Sequence, residues 1–106
     1  MTAVQNPYIP SIPAREIAAR GGRLVDVRKA PARQADPRRD GRAEWIDPFD
    51  LGHDHPLMQA KGPITFFCVA GHEVSQFACV LARLHGRDAV FVEGGFAAMM
   101  DAGVVQ

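Results

Sequence analysis

The run Ile64-Thr65-Phe66-Phe67-Cys68 is followed, after Val69-Ala70-Gly71, by apolar residues Val74, Phe77, Ala78, Leu81 and Leu84 at spacings of three and four. A run without polar alternation suits a central strand covered on both faces, and the later spacing is that of an amphipathic helix. Gly86 stops the helix, and Ala89-Val90-Phe91-Val92 begins another strand. A strand, a helix and a strand in this order demand a parallel pair joined by a crossover, which places the chain among α/β folds.

The remaining segments fit that class. Ser11 to Gly22 reads as a short helix, with Pro13 in its first turn and Gly21 or Gly22 as its stop. Leu24-Val25-Asp26-Val27 is a short β-branched strand. From Lys29 to Arg42 the chain is basic and broken by Pro31, Pro37 and Gly41, the mark of a loop with one helical turn. Ala43 to Ile46 forms another short strand, and Asp47-Pro48 opens a turn of helix. Residues 48–62, broken by Gly52, Pro56 and Gly62, are expected to hold two short helical pieces or irregular chain. Gly94-Gly95 turns the chain into a closing helix from Phe96 to Ala102.

With 106 residues the chain suffices for one domain, spanning 1–106 with its core at about 11–103. Twelve basic side chains balance twelve acidic ones, so no global field draws in nucleic acid or an anionic membrane. Residues 1–10 lack a basic start followed by an apolar stretch, and no apolar run approaches the ~20 residues of a membrane span. A cytoplasmic location is the expectation. Two cysteines eleven positions apart fit neither a disulfide framework, a zinc site nor a paired redox motif. One working thiol in a reducing compartment fits better.

That thiol is Cys68. At the carboxyl end of a parallel strand, just before a helix start, a cysteine meets free backbone N–H groups and the positive end of a helix dipole. Both favour the thiolate, the nucleophilic form. The loop Val69-Ala70-Gly71-His72-Glu73-Val74 would wrap the sulfur, with Gly71 permitting the tight path, so these residues are the expected substrate-binding set.

Three segments, Leu24-Val25-Asp26-Val27-Arg28, Phe67-Cys68-Val69-Ala70-Gly71 and Val92-Glu93-Gly94-Gly95-Phe96, together resemble the signature segments of the rhodanese-like domain family. The resemblance spans roughly residues 11 to 103. It implies a parallel, about five-stranded central sheet flanked by helices on both faces. It also implies sulfur transfer through a persulfide on Cys68, from a small sulfur donor to a thiol, a cyanide-like nucleophile or a protein acceptor, with no cofactor. This chain departs from the family in three places. Asp40-Gly41-Arg42-Ala43-Glu44-Trp45 replaces a common His-Ile-Pro-Gly-Ala type segment. Glu73 stands where many members carry an arginine, five positions after the cysteine, which turns the site away from thiosulfate. Met99 replaces an aromatic of the last helix. The loop His72-Glu73-Val74-Ser75-Gln76 is similar to that of stand-alone members associated with chromate resistance. The alternative reading is therefore a non-catalytic binding or thiol-sensing module linked to stress or oxyanion resistance.

Other chemistry-bearing residues weigh less. His72 is a candidate proton carrier, although a histidine at a helix start is more often solvated or a cap. Glu73 suits a first helical turn without any function, and it also brings a negative charge to the rim. Cys79 on the helix reads as a packed thiol. His53-Asp54-His55 is two ligands short of a metal site and reads as an exposed turn. The arginines from Arg28 to Arg42 are expected to be a solvated loop. A phosphatase on this fold would need an arginine six positions after the cysteine, and Val74 occupies that place.

Overall fold

The computed structural model describes residues 9–38 and 41–105. Five parallel strands form one sheet in the order β1-β5-β4-β2-β3, with β1 at Ser11–Ile12, β2 at Arg23–Asp26, β3 at Ala43–Trp45, β4 at Ile64–Phe67 and β5 at Ala89–Val92. The helices are α1 at Ile17–Arg20, α2 at Ala30–Ala35, α3 at Glu73–Leu84 and α4 at Gly95–Asp101. Two short 3-10 turns, Pro48–Asp50 and Pro56–Gln59, occupy the region where two helical pieces or irregular chain were expected.

Side-chain alternation along the strands divides the core into two layers. Val25, Val27, Ile64, Phe66, Ala89 and Phe91 face α3 and the 3-10 turns, where Leu57, Met58, Ala78, Cys79 and Leu81 complete one cluster. Leu24, Phe67 and Val92 face the other way and pack with Ile17 of α1 and with Phe96 and Met99 of α4. Helices therefore cover both faces. Ile64, Phe66, Phe67, Phe91 and Val92 are fully buried, as a central pair of strands requires.

One expected element is corrected. Ser11-Ile12 belongs to a strand and not to the first helix: Ser11 pairs with Phe91 and Ile12 with Val92. Ile12 precedes Pro13, and the proline ring disfavours helical backbone in the residue before it. Phe91 N donates to Pro10 O at 3.1 Å and Glu93 N to Ile12 O at 2.9 Å, so the pairing supplies the hydrogen bonds a helix would have supplied. The helical part begins only after Pro13, as a 3-10 turn at Ala14–Glu16 that leads into α1.

A second correction concerns the basic segment. Arg28 is not solvated but 1% exposed, and its guanidinium grips the Asp26 carboxylate through Nε at 3.1 Å and Nη2 at 2.9 Å. Residues two apart in extended chain point the same way, which lets this pair form locally. Nη1 donates to Asp36 O at 2.8 Å and Nη2 to Arg38 O at 3.3 Å, tying down the chain after α2, and the guanidinium lies 4.0 Å from the centre of the Phe96 ring. Arg33 stacks over Trp45 at 4.9 Å, and Arg38 pairs with Asp36. Arg39 and Asp40 lie outside the described residues, as do residues 1–8. Among the described residues no helix is long and apolar enough to cross a membrane.

Candidate functional site

Cys68 stands one residue beyond β4, at the carboxyl edge of the sheet, and is 6% exposed. Because Asp26 registers with Phe67, and Val27 N donates to Phe67 O at 2.9 Å, the chain leaving β2 passes beside Cys68. Register thus brings Arg28 and Lys29 to the thiol. Together with Ala32 of α2 they form one wall of a cleft of about 440 Å³. The other wall and floor are Cys68, Val69, Ala70, His72, Glu73 and Val74.

The loop from Val69 to His72 is held against the Gly94-Gly95 turn. A Cβ on Gly95 would lie 2.4 Å from Cys68 O, and one on Gly71, at φ +74°, would lie 2.7 Å from Val92 O. Both positions therefore exclude larger residues. Phe96 N donates to Cys68 O at 2.7 Å and Ala97 N to Val69 O at 3.2 Å, so the start of α4 takes the loop's first carbonyls. No acceptor among the described residues takes the N–H groups from Val69 to Ser75. Free donors in succession around one point are an anion cradle, and the first turn of the twelve-residue α3 adds its dipole.

The far end of the loop returns to its beginning. Ser75, fully buried in the first turn of α3, brings Oγ to 3.2 Å from Cys68 Sγ. In the thiol form S–H donates to the serine oxygen. In the thiolate form the hydroxyl rotates and donates to sulfur, a charge-assisted bond in a dry setting. Gln76 Nε2 donates to Gly71 O at 3.0 Å and braces the middle of the loop.

Five of the six expected binding residues, Val69, Ala70, His72, Glu73 and Val74, line the cleft, while Gly71 is buried behind the loop as a spacer. His72 precedes α3, and its side chain makes no cap. Lys29, Ala32, Ser75 and Gln76 were not among the expected site residues. For Ser75 a signal existed: an apolar-to-polar break seven positions after the cysteine, on the helix face that turns inward with Ala78 and Cys79.

The other candidates fall elsewhere. Cys79 is fully buried beneath the sheet, 3.4 Å from Ala89 O, and desolvation pushes its thiol up to about 11. His55 Nδ1 accepts from Leu57 N at 3.1 Å, and His53 Nδ1 lies 2.8 Å from Nε2 of His85, a pairing across 32 positions that local spacing does not show. Among the described residues no three potential ligands converge on a metal-sized point. Among the described residues Arg28 is the one basic-segment arginine on the cleft wall, and its guanidinium is engaged with Asp26 and two carbonyls.

No family model and no curated protein matches the chain. Solved structures do. A rhodanese-related protein from Thermoplasma volcanium superposes with a TM-score of 0.77 at 20% identity, over 92% of this chain and 97% of that one. A thiosulfate sulfurtransferase from Pseudomonas aeruginosa gives 0.75 at 17% identity, over 96% of this chain and 20% of that larger one. A protein of unknown function from Rhodopseudomonas palustris, described as a possible tyrosine phosphatase, gives 0.71 at 21% identity, over 91% of this chain and 83% of that one. Five parallel strands in one sheet, helices on both faces and these superpositions agree on the architecture: the chain has the rhodanese-like fold.

Proposed function

We propose that the chain is a sulfurtransferase working through a persulfide on Cys68. The observation that carries this reading is the setting of the sulfur: the N–H groups of the loop that follows it, Val69 to Ser75, have no acceptor among the described residues, and the Ser75 hydroxyl stands 3.2 Å from Sγ. Free N–H donors and a hydroxyl beside a sulfur atom support negative charge on it without any cationic side chain. The Cys68 thiolate attacks the sulfane sulfur of a small donor, a bond forms between Sγ and that sulfur, and the donor's own bond to it breaks with its electron pair. Thiosulfate would leave as sulfite and an organic persulfide as its thiolate. The outer sulfur then passes to a thiol, a cyanide-like nucleophile or a protein acceptor, restoring the Cys68 thiolate. Two covalent half-reactions predict ping-pong kinetics.

Phosphate chemistry is disfavoured. The position six residues after Cys68 is Val74, and the nearby Arg28 is committed to Asp26, so the described residues of the cleft offer no bidentate guanidinium. A thiol-sensing module is the second reading, since the same N–H groups would also stabilise an oxidised sulfur anion. Intact mass separates the two. A gain of one sulfur on Cys68 with a sulfane donor, lost on adding cyanide with formation of thiocyanate, supports the enzyme. Gain of oxygen with peroxide, and none of sulfur with any donor, supports the sensor.

A further inference from the structure

The helix α3 is apolar on two faces. Its inner side buries Ala78, Cys79, Leu81 and Ala82 in the core beside the sheet. Phe77, Val80 and Leu84, spaced three and four apart, form a second stripe on the outer side and are 62%, 38% and 73% exposed. Phe49, 83% exposed, adjoins this stripe, because it bounds one cavity of about 220 Å³ together with Phe77. Of the six large apolar side chains left exposed among the described residues, these are four. A surface helix carries polar residues on its outer side, and one that is apolar on both sides is covered on both. A contiguous apolar patch on so small a chain marks an interaction site.

The charges at its two ends say what covers the stripe. Glu73 stands exposed at the amino end, and Arg83 stands exposed at the carboxyl end with its Nη1 donating to Ala89 O at 3.0 Å. Neither has an ion-pair partner among the described residues. An acid at one end and a base at the other complement the same helix run in the opposite direction. A two-fold axis across the middle of α3 would lay stripe on stripe, turn Glu73 of each copy towards Arg83 of the other and set the two helix dipoles antiparallel. A parallel approach would oppose like charges at both ends. We propose that the outer face of α3, with Phe49 beside it, is the interface of a homodimer in which two copies of this chain pack α3 antiparallel on α3. The proposal is independent of the chemistry at Cys68. Twelve helical residues span only about 18 Å, so the contact lies at the small end of specific interfaces and is reversible, with a dissociation constant on the order of 10 μM.

Sedimentation of the full chain from about 1 to about 500 μM tests this, since that range brackets the expected constant. The mass should rise with concentration from the 11.5 kDa of one chain to that of two. Leu84→Glu changes an exposed side chain, so the fold should survive, and two buried carboxylates in the apolar stripe should weaken the pair at least about a hundredfold and leave one chain at every concentration. Glu73→Arg and Arg83→Glu should each weaken it about tenfold, because every charge contact occurs twice across the axis. The two changes combined restore opposite charges and should return the constant to within about threefold of the wild type. Circular dichroism checks that each variant is folded. A wild-type chain that stays single at every concentration, whatever other protein or membrane it binds, would overturn the proposal. So would a dimer that Leu84→Glu leaves intact, which places the interface elsewhere, or a folded double variant no tighter than the single ones, which rules out the antiparallel arrangement.

Discussion

Two thiols eleven residues apart occupy the same hydrophobic cluster, yet they face opposite electrostatic worlds. Cys79 lies in the body of α3, where every nearby helical N–H already serves a carbonyl, and its sulfur meets Ala89 O at 3.4 Å. Desolvation by burial outweighs the opposing pull of Arg83 and Arg20 and pushes its ionisation up to about 11. Cys68 lies just before the same helix, where the N–H groups are free and a hydroxyl stands at 3.2 Å. Burial alone therefore does not decide whether a cysteine is inert. The decision lies in whether the surrounding backbone presents donors or acceptors, and that follows from its position relative to the helix end.

The strongest way to break this contrast is to exchange the thiols one at a time. Cys68→Ser should abolish accumulation of cyanide-labile sulfur, and Cys79→Ser should retain it at close to the wild-type level. Sulfur on the protein after loss of Cys68 would move the site. Alkylation gives the next largest effect. With ionisation near 11, on the order of one Cys79 in ten thousand is thiolate at pH 7. Limited iodoacetamide treatment at pH 7 followed by peptide mapping should label Cys68 at least about a hundredfold faster. Labelling of Cys79 should rise as pH approaches 11, because it is the deprotonated form that reacts. Comparable labelling at pH 7 would remove the proposed difference.

How much of this was legible in the sequence depends on the range over which each feature is decided. The strand, loop and helix around Cys68 are local, and so is the two-face burial of Ile64 to Phe67, which leaves no alternation. The pair Asp26-Arg28 was also local, since an i, i+2 spacing in extended chain puts both side chains on one side, but the surrounding prolines and arginines suggested a solvated loop. The two-residue β1 is too short for a period, and only Phe91 and Val92 across the sheet make it a strand. Lys29 enters the cleft through the register of β2 with β4, and His53 meets His85 through tertiary packing. None of these distant meetings leaves a spacing signature.

Ser75 offers a finer probe of the contrast, because its hydroxyl is the one side-chain hydrogen-bond partner of Cys68 Sγ among the described residues. A hydrogen bond to a charged group contributes about 1.5–3 kcal/mol. Since 1.4 kcal/mol is tenfold in rate, Ser75→Ala should slow persulfide formation by roughly tenfold or more. Alkylation of Cys68 at pH 7 should slow in parallel, whereas Cys79 should be unaffected. Ser75 at 0% exposure is replaced here by a smaller side chain, so the fold should survive. Equal rates for wild type and Ser75→Ala would mean that the backbone N–H groups suffice and the hydroxyl merely fills space.

The smallest expected effect lies at the rim, where Glu73 sets a negative charge on the wall of the Cys68 cleft, whereas the charges that act on Cys79 are the positive ones of Arg83 and Arg20. Two unit charges ~4 Å apart interact by up to about 4 kcal/mol at an effective dielectric of 20. Glu73 is exposed, however, so solvent reduces the repulsion to about 1 kcal/mol or less. Glu73→Gln should therefore raise the second-order rate with thiosulfate by about threefold to fivefold, and Glu73→Arg should raise it further. A neutral sulfur donor should gain much less from either change. Ionic strength supplies the internal control: the Debye length falls from ≈ 10 Å at 0.1 M to ≈ 3 Å at 1 M, so concentrated salt should bring the three proteins together with thiosulfate and leave the neutral donor unmoved. A thiosulfate rate unchanged or lowered in both variants, with the fold intact, would assign Glu73 to the start of α3 alone, where an acidic side chain already complements the helix dipole.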